Sequence, residues 1–134
     1  MTIRLAENKD LSWLVKQDEH ISLDILKKKI DSNEVYVVQI NEKLVGWLRY
    51  NLFWDSIPFM NMICFLEDYR GKGFGRKLVS FWESEMKEKG FCNVLTSTLS
   101  NENGQHFYRK LGYRDIGGFN YFNDPLEIIL LKKI

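Results

Sequence analysis

Cysteine is scarce in this chain. Only Cys64 and Cys92 occur in 134 residues, each in an apolar run that reads as strand, where reduced core thiols are expected in place of a disulfide or half of a metal site. With no C-x-x-C or H-E-x-x-H spacing, no metal is expected in the chemistry. Net charge is nearly absent as well: nineteen Lys and Arg face eighteen Asp and Glu, leaving +1. Such a balance gives no global field to draw the protein onto nucleic acid or an anionic membrane. Neither is therefore an expected partner, and any basic patch must be local. No apolar stretch reaches the roughly 20 residues of a spanning helix. Met1-Thr2-Ile3-Arg4 lacks a signal-type apolar region, so the cytoplasm is the expected location. Repeats, linkers and low-complexity segments are missing too. What is left is a chain with 45% hydrophobic residues, enough for a single domain over 1–134 with a sizeable core.

Apolar spacing separates its helices from its strands. Residues 2–5 read as a short strand. Asn8 is placed to cap a helix whose Leu11, Leu14 and Val15 share a face. After a break at Asp18-Glu19-His20, Ser22 is placed to cap a second helix carrying Leu23, Leu26 and Ile30, with Lys27, Lys28 and Lys29 as its solvated side. Asp31-Ser32-Asn33 ends it. The period then changes to strands at 35–40, 44–53 and 59–66, joined by turns at Asn41-Glu42-Lys43 and Asp55-Ser56-Ile57-Pro58, which implies an antiparallel meander. Beyond a glycine-rich stretch, Phe74, Leu78, Phe81, Trp82 and Met86 recur at helical spacing up to Gly90. A strand over 91–99, a short helix over 103–111 closed by Gly112, and strands over 113–121 and 126–132 joined at Asn123-Asp124-Pro125 complete the chain. The order is β-α-α-β-β-β-α-β-α-β-β, a mixed α/β (α+β) fold.

The glycine-rich stretch, DYRGKGFGRKLVSF at 68–81, follows a strand and opens a helix. Unpaired N–H groups at a helix start point outward together, and the helix dipole adds positive potential there, so this succession is an anion trap. Glycines at 71, 73 and 75 let a bulky phosphate approach the backbone, and Arg70, Lys72, Arg76 and Lys77 add charge around it. A pyrophosphate is the expected ligand. Two common phosphate motifs fail on spacing. The P-loop pattern is not met, and the G-x-G-x-x-G fingerprint requires glycine where Arg76 or Leu78 stands. The preceding strand also ends an antiparallel meander, which argues against the parallel dinucleotide-binding half-fold.

Arg70-Gly71-Lys72-Gly73-Phe74-Gly75 instead resembles the acyl-CoA loop of the GNAT superfamily of CoA-dependent N-acyltransferases: Arg or Gln, two residues, Gly, one residue, then Gly or Ala. A second stretch, SNENGQHFYRKLGYRDIG at 100–117, resembles the family's other signature. There an Asn ends a strand, and a short helix carries an aromatic-Tyr pair before Leu-Gly-aromatic; Asn101, Tyr108 and Gly112 occupy those places. The element order is also similar to the family's, so the resemblance covers about the whole chain, with 59–117 its specific part. It implies acetyl-CoA as donor and direct attack on it, within a ternary complex, by a primary amine of a small molecule or peptide. It further implies cofactor contacts from the main chain of Phe65 and Leu66, and from Arg70, Gly71, Lys72, Gly73, Phe74, Gly75, Arg76 and Lys77 around the pyrophosphate. Asn101, Gly104 and Phe107 complete the implied set. Gly104 stands where family members often carry Ala, which keeps clearance at a cost of about 0.5–1 kcal/mol to the helix.

The same resemblance implies Tyr108 as proton donor to the departing thiolate; on its own, a helical Tyr in HFYRKLGY reads as a packed aromatic. His106 is given no role. Many family members carry a carboxylate on the strand before the glycine loop, yet 59–66 holds no Asp or Glu and Asn61 is its only polar side chain. Asp55, Glu67, a water chain or an amine of lowered pKa stand as alternatives for the base. His20, Trp47, Trp54 and Asn61 are the expected acceptor contacts. Acidic Asp18 and Glu19 beside His20, together with Trp47, Tyr50, Phe53 and Trp54, suit a cationic amine, although core packing is the plainer reading of strand aromatics. Neither cysteine is placed as a nucleophile. A noncatalytic acyl-CoA binder or sensor is the competing reading. The apolar closing strand, 126–134, has an edge that needs cover, and pairing is frequent in the family, so a homodimer is the expected assembly.

Overall fold

A computed structural model describes all residues, 1–134. The strands are β1 (Thr2–Leu5), β2 (Val35–Ile40), β3 (Lys43–Phe53), β4 (Ile57–Phe65), β5 (Asn93–Leu99), β6 (Arg114–Phe119) and β7 (Glu127–Lys133). The helices are α1 (Leu11–Gln17), α2 (Leu23–Asp31), α3 (Phe74–Glu88) and α4 (Gly104–Lys110), with 3₁₀ turns at Asn8–Asp10 and Glu67–Tyr69. This is the expected element order with two short turns added. The seven strands form one mixed sheet in the order β1-β2-β3-β4-β5-β7-β6, so chain order and sheet order part company at the end. β7 pairs antiparallel with both β5 and β6. Its edge needs no second copy to cover it, which corrects the basis on which a homodimer was expected: the edge strand is β6. No helix is long and apolar enough to cross a membrane.

Contacts divide the chain into two compact units. The first holds Met1–Tyr50 and Met62–Val79. Its core gathers Ala6, Leu14, Leu26, Ile30, Val35, Val37 and Trp47, which is the apolar face of α1 and α2 laid on the inward-facing residues of β2 and β3. The β2–β3 hairpin turns through Asn41 and Glu42, both at positive φ (51° and 65°), the handedness that matches the twist of the strands it joins. Ser22 caps α2 as its position predicts, accepting the Ile25 N–H. Asn8 does not cap the first helix. Asp10 stands at that N-cap without a side-chain bond to the helix; its carboxylate closes the preceding 3₁₀ turn, accepting the Glu7 N–H at 2.8 Å while Arg4 grips it at 2.8 and 2.9 Å. Lys29 also departs from expectation. Its ammonium is drawn inward to the Tyr50 carbonyl and to Glu34 at 3.5 Å, leaving Lys27 and Lys28 as the solvated side.

The second unit holds Asn51–Asn61 and Ser80–Ile134. Trp82, Met86, Val94 and Leu130 are fully buried there. Glu83 of α3 accepts from the Tyr113 hydroxyl and the Lys132 ammonium, each at 2.8 Å, fixing the helix to β7 and to the start of β6. Gly90, at φ 95°, ends α3 in the left-handed conformation that glycine adopts without strain. Cys92 is exposed just before β5, whereas Cys64 in the first unit is half-buried, so only the latter fits the expected core thiol.

Candidate active site

In the first unit the chain leaves β4 and runs through the glycine loop into α3. Arg70 is in extended conformation, and Gly71 and Gly73 follow at φ 69° and 85°. A Cβ on either would meet nothing within 4 Å, so the glycines answer to backbone conformation and leave the space beside them open. The first backbone bond of α3 runs from the Lys77 N–H to the Gly73 carbonyl at 3.3 Å. The N–H groups of Phe74, Gly75 and Arg76 precede it and have no helical partner. Lys72, Arg76 and Lys77 are exposed around them. Phe74 turns its ring inward, 6.2 Å from Phe65 and 6.3 Å from Tyr69, so its share in binding an anion is its N–H alone.

Arg70 plays a part that composition does not reveal. Its Nε donates to the Phe65 carbonyl at 2.8 Å, tying the loop back to the end of β4. The Leu66 N–H donates to the Val45 carbonyl at 2.8 Å. The Phe65 ring fills the space above Gly46, where a Cβ would lie 2.5 Å from it. The side chain is thus core, and its carbonyl accepts from both the Arg70 guanidinium and, at 3.7 Å, the Cys64 thiol.

The expected acceptor residues of this unit divide. Trp47 is 3% exposed, packs edge-on against Trp13 at 5.7 Å, and donates through Nε1 to Asp18 at 3.1 Å. Arg49 Nε donates to the Asp18 carboxylate at 2.7 Å, and the His20 N–H donates to it at 3.1 Å. Burial alone would push the Asp18 carboxyl up, but the Arg49 guanidinium, the His20 N–H and Trp47 together hold it below the usual range. Asp18 and Trp47 are therefore a closed structural knot, and the negative charge expected to attract an amine is neutralised. His20 is exposed. Tyr50 is buried, stacked on Tyr36 at 6.4 Å.

In the second unit, β5 and α4 carry the other signature. Asn101 is exposed in the turn after β5. Gly104 opens α4 close to the sheet: a Cβ there would stand 3.0 Å from the Thr98 hydroxyl and 3.8 Å from the Tyr108 ring, so glycine serves close packing on Thr98 as well as clearance. Tyr108 is 8% exposed, edge-on to Phe107 at 5.3 Å and to Tyr113 at 5.7 Å. Burial pushes its phenol up, the Thr96 hydroxyl works the other way, and the charge of Glu102 raises it further. A phenol so placed keeps its proton until a stronger base, such as a nascent thiolate, faces it. Trp54 sits at φ 54° in the β3–β4 turn, 76% exposed, its ring 4.8 Å from Phe53. Asn61 is exposed on β4.

Glu127 is a half-buried carboxylate that the sequence pattern does not single out. It lies at the start of β7, opposite Leu99 of β5 and Phe119 of β6, and its Oε2 is buried without a hydrogen-bond partner. The one signal in the sequence is a carboxylate in register with Ile129 and Leu131 on an otherwise apolar strand face.

The model of the "Acetyltransferase (GNAT) family" matches residues 4–113. An uncharacterised N-acetyltransferase of Methanocaldococcus jannaschii is 29% identical over 104 residues, 75% of this chain and 66% of that protein. The chain spans 60% and 66% of the length of two curated relatives that it matches. Ard1 from Thermoplasma volcanium superposes with TM-score 0.85 at 15% identity, over 99% of this chain and 97% of its own. Arabidopsis thaliana Naa50, solved with the bisubstrate analogue CoA-Ac-MVNAL, superposes with TM-score 0.79 at 16% identity, over 99% and 98%. Likeness at that identity concerns the fold.

Proposed function

The chain belongs to the GNAT acetyltransferase family, and on that premise we propose that it moves an acetyl group from acetyl-CoA to a primary amine of a small molecule or peptide by direct attack within a ternary complex. The observation that carries the reading is the loop: Gly71 and Gly73 in left-handed conformation with open space beside them, leading to the unpaired N–H groups at the start of α3. Those N–H groups, with Lys72, Arg76 and Lys77, receive the pyrophosphate, and Arg70 holds the loop in shape through the Phe65 carbonyl. In the first unit the main chain at Phe65 and Leu66 is the part that the family resemblance assigns to the pantetheine arm; in the second, the Asn101 amide, Gly104 and Phe107 are the cofactor contacts it assigns. Tyr108 gives its phenolic proton to the sulfur as the thiolate leaves, so the amine displaces a neutral thiol, and the proton shed by the attacking nitrogen restores the phenol through solvent. His20, Trp54 and Asn61 are exposed and stand as acceptor contacts; Trp47, buried against Trp13 and Asp18, does not.

The test follows thiol release from acetyl-CoA with three amines: a tripeptide with a free amino terminus, lysine amide and spermidine. Release above the amine-free rate with at least one of them is expected. A second reading, a noncatalytic acyl-CoA binder, is favoured by the lack of any Asp or Glu on β4. CoA-dependent stabilisation without thiol release would select it, and no stabilisation by CoA would remove both.

A further inference from the structure

Thr96 of β5 is 1% exposed, and its hydroxyl donates to the Met60 carbonyl of β4 at 3.1 Å. The bond lies on the short parallel ladder between those strands, which pairs Phe59 with Leu95 and Met60 with Thr96. Side chains two apart on a strand share a face, so Thr96 and Thr98 project together. That face carries α4: a Cβ on Gly104 would stand 3.0 Å from the Thr98 hydroxyl and 3.8 Å from the Tyr108 ring. From Gly104 to Tyr108 a helix rises about 6 Å, and from Thr98 back to Thr96 a strand spans about 6.6 Å. With Gly104 seated on Thr98, the matching rises bring Tyr108 over Thr96, and the two hydroxyls are hydrogen-bonded.

A threonine hydroxyl has one hydrogen and two lone pairs. While the hydrogen is on the Met60 carbonyl, only a lone pair faces the phenol, so the Tyr108 O–H is the donor between them. The order reverses once Tyr108 has lost its proton. A buried phenolate is costlier to leave unpaired than a neutral carbonyl is, so the Thr96 hydrogen swings from Met60 to the phenolate. The phenol's acidity agrees in direction: burial pushes its pKa up and the Thr96 hydroxyl pulls it down, as a donor to the charged form does.

We propose that Thr96 is a positioning residue for Tyr108, its hydroxyl fixing the phenol oxygen at rest and turning its own hydrogen to the phenolate as the proton passes to sulfur. This rests on the transfer reading above, with Tyr108 as proton donor. In that step the phenolic O–H bond breaks and an S–H bond forms, negative charge moves from sulfur to the phenolate oxygen, and Thr96 changes acceptor without losing its proton.

Thiol release from acetyl-CoA at saturating amine tests it, with whichever of the tripeptide, lysine amide and spermidine the parent protein uses. Thr96→Val keeps the shape and removes the hydroxyl. It is expected to slow turnover by about 10–100-fold, the range of a hydrogen bond to a charged group, with acetyl-CoA affinity by calorimetry unchanged. Thr96→Ser, which keeps the hydroxyl, should restore most of the rate. In the Tyr108→Phe background Thr96→Val should cost nothing further, because no phenolate forms there. Thr96→Ala takes the place of Thr96→Val if the latter does not fold. A parental rate in Thr96→Val, an equal loss in both backgrounds, or a loss of acetyl-CoA affinity overturns the assignment, since a Thr96 that only ties β5 to β4 would give one of these. No release by the parent with any amine sinks the transfer reading and this assignment with it, whereas release indifferent to Thr96 sinks the assignment alone.

Discussion

Asp18 and Glu127 are both carboxylates drawn out of water, one in each unit, and their surroundings differ in sign. Asp18 is saturated by Arg49, Trp47 and the His20 N–H, and its carboxyl is held below the usual range. Glu127 has a buried oxygen with no partner and two like charges nearby, and its carboxyl is pushed up. The first carboxylate is used up by the fold. The second is not. Burial alone does not separate a structural group from a functional one; whether its hydrogen bonds and charge are met within the chain does.

Tyr108, the buried group of the second unit assigned to chemistry, gives the largest expected effect. Tyr108→Phe keeps the ring contacts and removes the hydroxyl, so thiol release at saturating amine should fall by about 10²–10⁴-fold while acetyl-CoA affinity holds. The loss should shrink with a thioester whose thiol is more acidic, since that sulfur needs less protonation. A near-parental rate would return Tyr108 to a packed aromatic.

Asp18→Ala should come next, on stability. Removing one partner of a buried pair leaves Arg49 uncompensated and typically costs about 3–5 kcal/mol, read from urea melts. Glu127→Leu should do the reverse, holding stability or raising it by up to about 1–3 kcal/mol, because it deletes an unsatisfied buried acceptor. A loss of Asp18 size at Glu127 would erase the contrast between them.

The two should also bend the pH dependence of stability in opposite directions. With its folded pKa lowered, Asp18 contributes stability that is present above the ordinary carboxylate pKa and lost as pH falls through the folded one. With its folded pKa raised, Glu127 subtracts stability as pH rises from the ordinary carboxylate value through the folded one. Melts between about pH 3 and 8, which bracket ordinary carboxylate titration, should therefore show Asp18→Asn flattening the rise with pH and Glu127→Gln removing part of a fall. The same slope in both variants would contradict this.

Arg70→Ala is the smallest. Losing its charge near the loop should weaken CoA binding several-fold at low ionic strength and less near 1 M salt, where the Debye length is about 3 Å. A loss unchanged by salt would mean that Arg70 acts wholly through its bond to the Phe65 carbonyl.

Element types were legible because periodicity is local: Phe74 to Met86 reads as a helix, and 35–40 as a strand, from neighbours within two turns. The glycine loop was legible for the same reason. Long-range pairing was not. Nothing near Asp18 in the chain announces Arg49 or Trp47, 31 and 29 residues away, so an acidic, aromatic acceptor surface was read where the fold makes a buried knot. Lys29 looked like its two neighbours until Tyr50 and Glu34 came beside it. The closing strand read as an edge because chain order suggests it, while the sheet inserts β7 between β5 and β6. Glu127 stays hidden for a further reason: one carboxylate in an apolar strand carries no spacing, and its unmet oxygen exists only once β7 is set between β5 and β6.

The glycine loop as acyl-CoA cradle is tested most directly by calorimetric titration of acetyl-CoA into parent and Gly73→Val proteins, each shown by melting to be folded. Valine cannot readily hold the φ of 85° found at Gly73, so the expected result is binding by the parent and none by the variant. A folded Gly73→Val protein that binds acetyl-CoA with parental affinity would contradict the account.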